Sequence, residues 1–204
     1  MIRILTDSAS DILPAEAEQL GVTVIPLNVT LEDGTVLRDG IDKTPSEYYA
    51  LLKECHKLPT TSQPSPELFE RFYQDAAAAG DEVLGIFLSH ELSGTWQCAR
   101  LAADLVNVDN VLFVDSTNVC LGEGLLVRLA VRLRDEGFSA AQIASGKIAS
   151  IEAHYAAPCL EGETLSVYRK PEGEISTVLP DTLPVFCSIL TSSILLMIKN
   201  RAKD

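Results

Sequence analysis

The sequence predicts an α/β fold, a mainly parallel sheet with helices on both faces. Two observations carry this. The runs "IRILTDS", "DEVLGIFLS" and "NVLFVDS" are apolar and rich in β-branched residues, with little alternation, the pattern of strands buried on both faces. Between them lie stretches of helical length, so single helices make the connections and the strands run parallel. Beyond about Ser150 the alternation stops and a polar, turn-rich stretch is followed by an apolar one.

The elements follow in order. "IRILTDS" is the first strand. Pro14 to Leu20 reads as a short helix, with Asp11 near its start and Gly21 where a C-terminal glycine belongs. "VTVIPLNVTL" is the second strand, and "LEDGTVLRDG" folds back as a hairpin through an Asp-Gly turn. Thr44-Pro45-Ser46-Glu47 is a capping box with proline at the first helical position, opening a helix to about Leu52 or Lys53. Lys57 to Glu67, "KLPTTSQPSPE", is a loop, and Ser65 before Pro66 caps a helix reaching about Ala78. "DEVLGIFLS" is the third strand, and Ser93-Gly94-Thr95 opens the helix after it. Asn110 to Ser116 is the fourth strand. Leu121 to Asp135 and Ala140 to Ala149 continue as helices.

The chain has 204 residues, enough for one large domain or two small ones. Its formal charge of -13 repels phosphate backbones and anionic headgroups, which argues against nucleic acid and membrane-surface partners. No apolar run approaches the ~18 residues needed to cross a bilayer. The N-terminus starts directly with a strand pattern, without a basic region and apolar signal stretch. A cytoplasmic location with reduced thiols is expected. Five cysteines contain no CxxC pair, and the three histidines lack zinc-finger spacing, so no metal or cofactor is called for. Cys55-His56 reads as an ordinary helix-end pair.

In an open parallel sheet, ligands sit beyond the carboxyl ends of the strands. The polar residues collect there: Asp7-Ser8 after the first strand, Ser89 and Ser93-Gly94-Thr95 after the third, Asp115-Ser116 after the fourth. A helix N-terminus offers unpaired N–H groups and a partial positive charge, and Gly94 lets a ligand approach the backbone. A carboxylate or phosphate fits such a corner. Each piece also has a purely structural reading: Ser93 as an N-cap, Asp115-Ser116 as turn and cap, Asp7 as an acceptor for neighbouring loops. The chain carries no P-loop, GxGxxG, GxSxG or HExxH signature. His90 precedes Ser93 by three residues, too little to define a catalytic arrangement.

Four segments, "ILTDSASDI", "LPTTSQPSPE", "LSHELSGTWQCARLAA" and "VDSTNVCLGEGLLV", resemble in order and spacing the DegV family of bacterial fatty-acid-binding proteins, over about residues 1 to 148. The resemblance implies a two-lobed protein that holds one long-chain fatty acid between its lobes. It further implies a carrier, not an enzyme, which presents the carboxylate to a separate fatty acid kinase. Carried over by motif, Thr61 and Ser93 contact the carboxylate, with Ser62, Gly94 and Thr95 as neighbouring donors. Asp7, Ser8, Asp115 and Ser116 support the site.

On the same resemblance, residues 1–150 form the head-group lobe. Residues 151–204 are then a truncated second α/β lobe, the remnant of the part that covers the acyl tail. "ETLSVYRKPEGEIS" and "SILTSSILLMIKN" resemble blurred second-lobe segments. The histidine with which that lobe completes the family's carboxylate site has no counterpart. Arg169 and Lys170 fall in a basic stretch that faces the kinase in the family, and equally read as solvated loop cations. Two other readings stay open: an enzyme acting on a small phosphorylated or carboxylated substrate at the strand-end cleft, and a truncated copy serving as an interaction module. The oligomeric state is not legible.

Overall fold

The computed structural model describes residues 1–147 and the backbone of two antiparallel dipeptides, Thr164–Leu165 and Leu183–Pro184. The sequence readings for the rest of 148–204, the second lobe with Arg169 and Lys170 included, lie outside the described residues.

Four strands form a wholly parallel sheet in the order β2-β1-β6-β7. They are β1 (Ile2–Asp7), β2 (Val22–Ile25), β6 (Glu82–Phe87) and β7 (Val111–Asp115). Alternation along the strands sends neighbouring residues to opposite faces, and both faces are covered. Ile4, Leu84 and Ile86 pack with α1 (Pro14–Leu20), α5 (Leu121–Asp135) and Ile143. Leu5, Val83 and Phe87 pack instead on α3 (Pro66–Ala78) and α4 (Thr95–Val106). On that face the small side chains Ala99, Ala102 and Ala103 let α4 lie close. Gly85 is required by the same packing, because a Cβ there would come 2.7 Å from the Phe87 ring.

A second sheet, β4-β3-β5, is antiparallel and built from β3 (Asn28–Thr30), β4 (Val36–Arg38) and β5 (Thr60–Ser62). Val29 at its centre packs on Tyr48 of α2 (Pro45–Glu54). The Thr44–Glu47 capping box forms as the sequence predicts, and α2 runs a residue or two beyond the predicted end. The predicted hairpin is β3–β4, turned through Asp33-Gly34, where Asp33 accepts the Thr35 N–H at 2.8 Å and Gly34 takes φ +85°.

Three expectations are corrected. The single strand from Val22 to Leu31 breaks at Pro26, which has no N–H to continue a ladder. Its first half joins the parallel sheet and its second half the antiparallel one. The Lys57 to Glu67 loop contains β5, paired through Val29↔Thr61. Ser65 occupies the N-cap position of α3, but its hydroxyl makes no capping bond. The predicted last helix is helical as far as it is described: α6 (Ala140–Gln142), capped by Ser139, passes into a π-helical turn at Ile143–Lys147, and residues 148 and 149 lie outside the described residues.

Candidate functional site

The sheet order puts β1 between a strand reached by the next helix and a strand reached much later in the chain. The crevice between the ends of β1 and β6 is therefore the switch point of the sheet. Asp7 closes it. Its Oδ1 accepts the Ala9 N–H at 2.9 Å and its Oδ2 accepts the Leu88 N–H at 3.0 Å, tying the two strand ends together. The carboxyl is fully buried, and burial pushes it up to about 7 against the pull of those two N–H groups.

Glu123, in the first turn of α5, lies buried against it. Its Oε1 accepts the Thr6 hydroxyl at 3.0 Å, and its carboxyl lies within hydrogen-bonding reach of that of Asp7. Burial first, and then the negative charge of Asp7, hold this carboxyl well above the usual range. Sequence reading passed over Glu123, because a glutamate in a first helical turn ordinarily faces water. The glycines on either side were the available signal. A Cβ at Gly124 would strike the Ser10 carbonyl oxygen, so α5 sits tight on the turn after β1.

The other supporting residues are likewise bonded within the scaffold. Ser8 Oγ accepts the Leu27 N–H at 3.1 Å, holding the chain after β2. Ser116 donates to the Asn118 carbonyl at 3.0 Å and accepts its N–H at 3.1 Å. Asp115 accepts the N–H groups of His90 and Thr117 through Oδ1, and its Oδ2 pairs with His90 Nδ1. His90 is thus partnered by Asp115, and among the described residues no hydrogen bond joins it to Ser93.

The corner at α4 differs. Helix geometry begins at Thr95, and Gly94, not Ser93, is the N-cap residue. Ser93 still serves the helix end: its Oγ accepts the Thr95 N–H at 3.3 Å and lies 2.9 Å from Thr95 Oγ1. Thr95 is fully buried, which turns its hydroxyl inward, whereas Ser93 and Gly94 are half-buried. Gly94 supplies no side-chain cap, and the Thr95 N–H is the first-turn donor that Ser93 Oγ takes.

The β5 segment comes to this corner. A methyl group at Gly94 would collide with Gln63 Oε1, and Cys98 Sγ bonds the Pro64 carbonyl at 3.6 Å. Asn28 Nδ2 donates to the Gln63 carbonyl at 3.2 Å. Thr61 and Ser62, successive strand residues, project to opposite faces of the small sheet, Thr61 to the face it shares with Val29. Thr61 is half-buried and its hydroxyl makes no hydrogen bond among the described residues. Ser62 is exposed and turned away from it. The fold therefore brings "TTSQP" against "SGT", with Gln63, unremarked in the sequence, resting on Gly94.

Beside the corner, the His90 and Trp96 rings lie 6.3 Å apart, and the Arg100 guanidinium stacks 5.0 Å above Trp96. Among the described residues no cluster of His, Cys, Asp and Glu is arranged to hold a metal ion, and no helix is long and apolar enough to cross a membrane. A cavity of about 380 Å³ opens elsewhere, between α1, β2 and the Asp39–Pro45 segment, and neither Thr61 nor Ser93 is on its wall.

Together these features define a class: a parallel α/β lobe that locks its strand ends with buried carboxyls and keeps hydroxyls and helix-end amides at one neighbouring corner. The chain belongs to the DegV family, whose model, described as "Uncharacterised protein, DegV family", matches residues 1–156. A DegV domain-containing protein of Caldanaerobacter subterraneus subsp. tengcongensis is 40% identical over 144 residues, 71% of this chain and 51% of that protein. Among solved structures, a DegV family protein of Thermus thermophilus described by its fatty acid binding is 42% identical with a TM-score of 0.63. The match covers 70% of this chain and 50% of that one. A stearic acid-binding protein of Eubacterium ventriosum is 31% identical with a TM-score of 0.66, covering 71% and 51%. The chain spans about half the length of the relatives it matches.

Proposed function

We propose that this protein binds a long-chain fatty acid with its carboxylate at the β5–α4 corner, and that it acts as a carrier, not as an enzyme. The observation that carries the reading is the unspent Thr61 hydroxyl on the strand that leads onto the Gly94 corner. Thr61 and Ser93 donate to the carboxylate, and the N–H groups at Gly94 and Thr95 lie next to them. Hydroxyl and amide donors can hold a carboxylate without a buried cation. That matters in a chain of net charge -13, whose long-range field disfavours an anion. Ser62, on the opposite face, contributes no hydroxyl. Asp7, Ser8, Asp115 and Ser116 act through the scaffold.

The acyl tail supplies most of the affinity, at about 0.8 kcal/mol per buried methylene, and residues 151–204 contribute to its cover. The head contacts fix the direction in which the carboxylate is presented. A fatty acid kinase is the partner that uses it, forming the acyl phosphate. The fatty acid binding of relatives at 42% and 31% identity supports the ligand class.

The test is calorimetric titration of the delipidated full chain with oleate. Saturable binding that Thr61→Val and Ser93→Ala each weaken about tenfold or more is expected, the value of one hydrogen bond to a charged group. A folded protein that binds no acyl chain would overturn the reading.

A further inference from the structure

The corner between β5 and α4 carries a third side chain that the two hydroxyls do not account for. Gln63 follows Ser62, the last residue of β5, and precedes Pro64. A residue before proline is held in extended backbone, so the alternation of the strand carries on and Gln63 falls on the face of Thr61, opposite Ser62. Its backbone is anchored on both sides. Asn28 Nδ2 donates to the Gln63 carbonyl at 3.2 Å, and Cys98 Sγ donates to the Pro64 carbonyl at 3.6 Å. The side chain itself is exposed, and its amide makes no hydrogen bond among the described residues.

The amide end lies on Gly94. A Cβ built on that glycine would be 2.2 Å from Gln63 Oε1 and 3.3 Å from its Cδ, so the end of Gln63 takes the space of a side chain at position 94. A primary amide offers two N–H donors and one acceptor oxygen. The torsion that carries it is broad and roughly two-fold, so half a turn exchanges Oε1 for Nε2 at little cost. Gln63 can therefore put a donor against Gly94, next to the half-buried Ser93 and on the face of the Thr61 hydroxyl.

We propose that Gln63 is a third donor of the carboxylate site and the residue that favours an ionised head group over a neutral one. The inference rests on the fatty acid reading of this corner and extends it beyond the Thr61 and Ser93 hydroxyls. Nε2–H donates to the carboxylate. A hydrogen bond to an ionised acceptor is about twice as strong as one between neutral groups, so this donor is worth more to a carboxylate than to an alcohol.

Two other roles for the side chain make different predictions. As a structural prop it has little to offer, because it is exposed and its amide has no bond to lose among the described residues. As a plug, it would cover Gly94 and have to leave before a head group could approach. A plug and a donor differ in sign: removing a plug tightens binding, and removing a donor weakens it.

The experiment is titration of the delipidated full chain with oleate and with oleyl alcohol, both delivered from cyclodextrin. The parent is compared with Gln63→Met, Gln63→Glu and Thr61→Val. Gln63→Met keeps the length of the side chain and loses its donors. Its oleate affinity should fall about tenfold, and its oleyl alcohol affinity by less than about threefold. Gln63→Glu adds a negative charge at the corner and should weaken oleate by about a hundredfold while oleyl alcohol is retained. Urea midpoints of both Gln63 variants should match the parent. The proposal is overturned if Gln63→Met binds oleate as tightly as the parent or more tightly, or if both ligands weaken equally. A parent that binds no oleate overturns the fatty acid reading and this inference with it. Weakened oleate binding in Thr61→Val but not in Gln63→Met overturns this inference alone.

Discussion

The switch point between β1 and β6 and the corner between β5 and α4 both collect polar side chains at strand ends, but they use them differently. At the switch point, Asp7 accepts two backbone N–H groups and Ser8 a third, from loops far apart in sequence. At the corner, among the described residues, the Thr61 hydroxyl is unbonded and the Ser93 hydroxyl bonds only to Thr95 two residues on. Motif residues alike in type thus divide into those that hold the lobe together and those left to hold something else. Bonds to backbone far away in sequence mark Asp7 and Ser8 as scaffold, whereas Ser116, placed in the same group, bonds locally to Asn118.

The largest effect should come from breaking the switch point. Asp7→Ala leaves two buried N–H groups without acceptors and opens a void between the strand ends. Urea unfolding should show a loss of about 3 kcal/mol or more. A variant as stable as the parent would place Asp7 in the ligand-facing group instead.

Next in size is the response to pH. Asp7 and Asp39, raised to about 7, and Glu123, also raised, hold protons in the folded state that the unfolded chain releases near its ordinary carboxylate range. Their stabilisation is complete below about pH 4 and is lost as the pH rises through 7. Asp81, bonded to the N-terminus and Arg3, and Glu47, in its capping box, are lowered and act the other way at the acidic end. Melting temperature should therefore peak in mildly acidic solution and fall between pH 5 and pH 8. Asp39→Asn should flatten that fall, since its amide cannot ionise. A melting temperature that climbs over the same range would contradict the placement of the three carboxyls.

Gly85→Ala sharpens the contrast from the core side. The added methyl meets the Phe87 ring at 2.7 Å, and shifting that ring should cost about 1–3 kcal/mol, read by thermal unfolding. Fatty acid affinity should not change. Gly94→Ala should do the reverse. Among the described residues the atoms it strikes belong to the flexible end of Gln63, so stability should fall by less than about 1 kcal/mol. The methyl occupies the approach to the helix-end amides, and oleate titration should show weakened binding.

Much of this was legible in the sequence because the signals were local. The apolar runs of β1, β6 and β7 declare strands buried on both faces, and Thr44-Pro45-Ser46-Glu47 declares a helix start. What escaped depends on contacts between distant segments. β5 is three hydroxyl residues that become a strand only through pairing with β3. Pro26 was in plain view, but the apolar residues around it outweighed a missing N–H. Asp39 reads as half of an Asp-Gly turn; only the packing of α1, β2 and the Asp39–Pro45 segment buries it. The site divides likewise. Motif order pointed to Thr61 and Ser93, whereas Gln63 on Gly94 and the opposite facing of Ser62 required coordinates.

The division between scaffold and recognition is tested most directly by the double variant Thr61→Val, Ser93→Ala. Its oleate affinity and its unfolding free energy would be measured side by side. The account predicts a loss of affinity of about a hundredfold with stability within about 1 kcal/mol of the parent. Unchanged affinity, or a collapse of folding in place of binding, would contradict it.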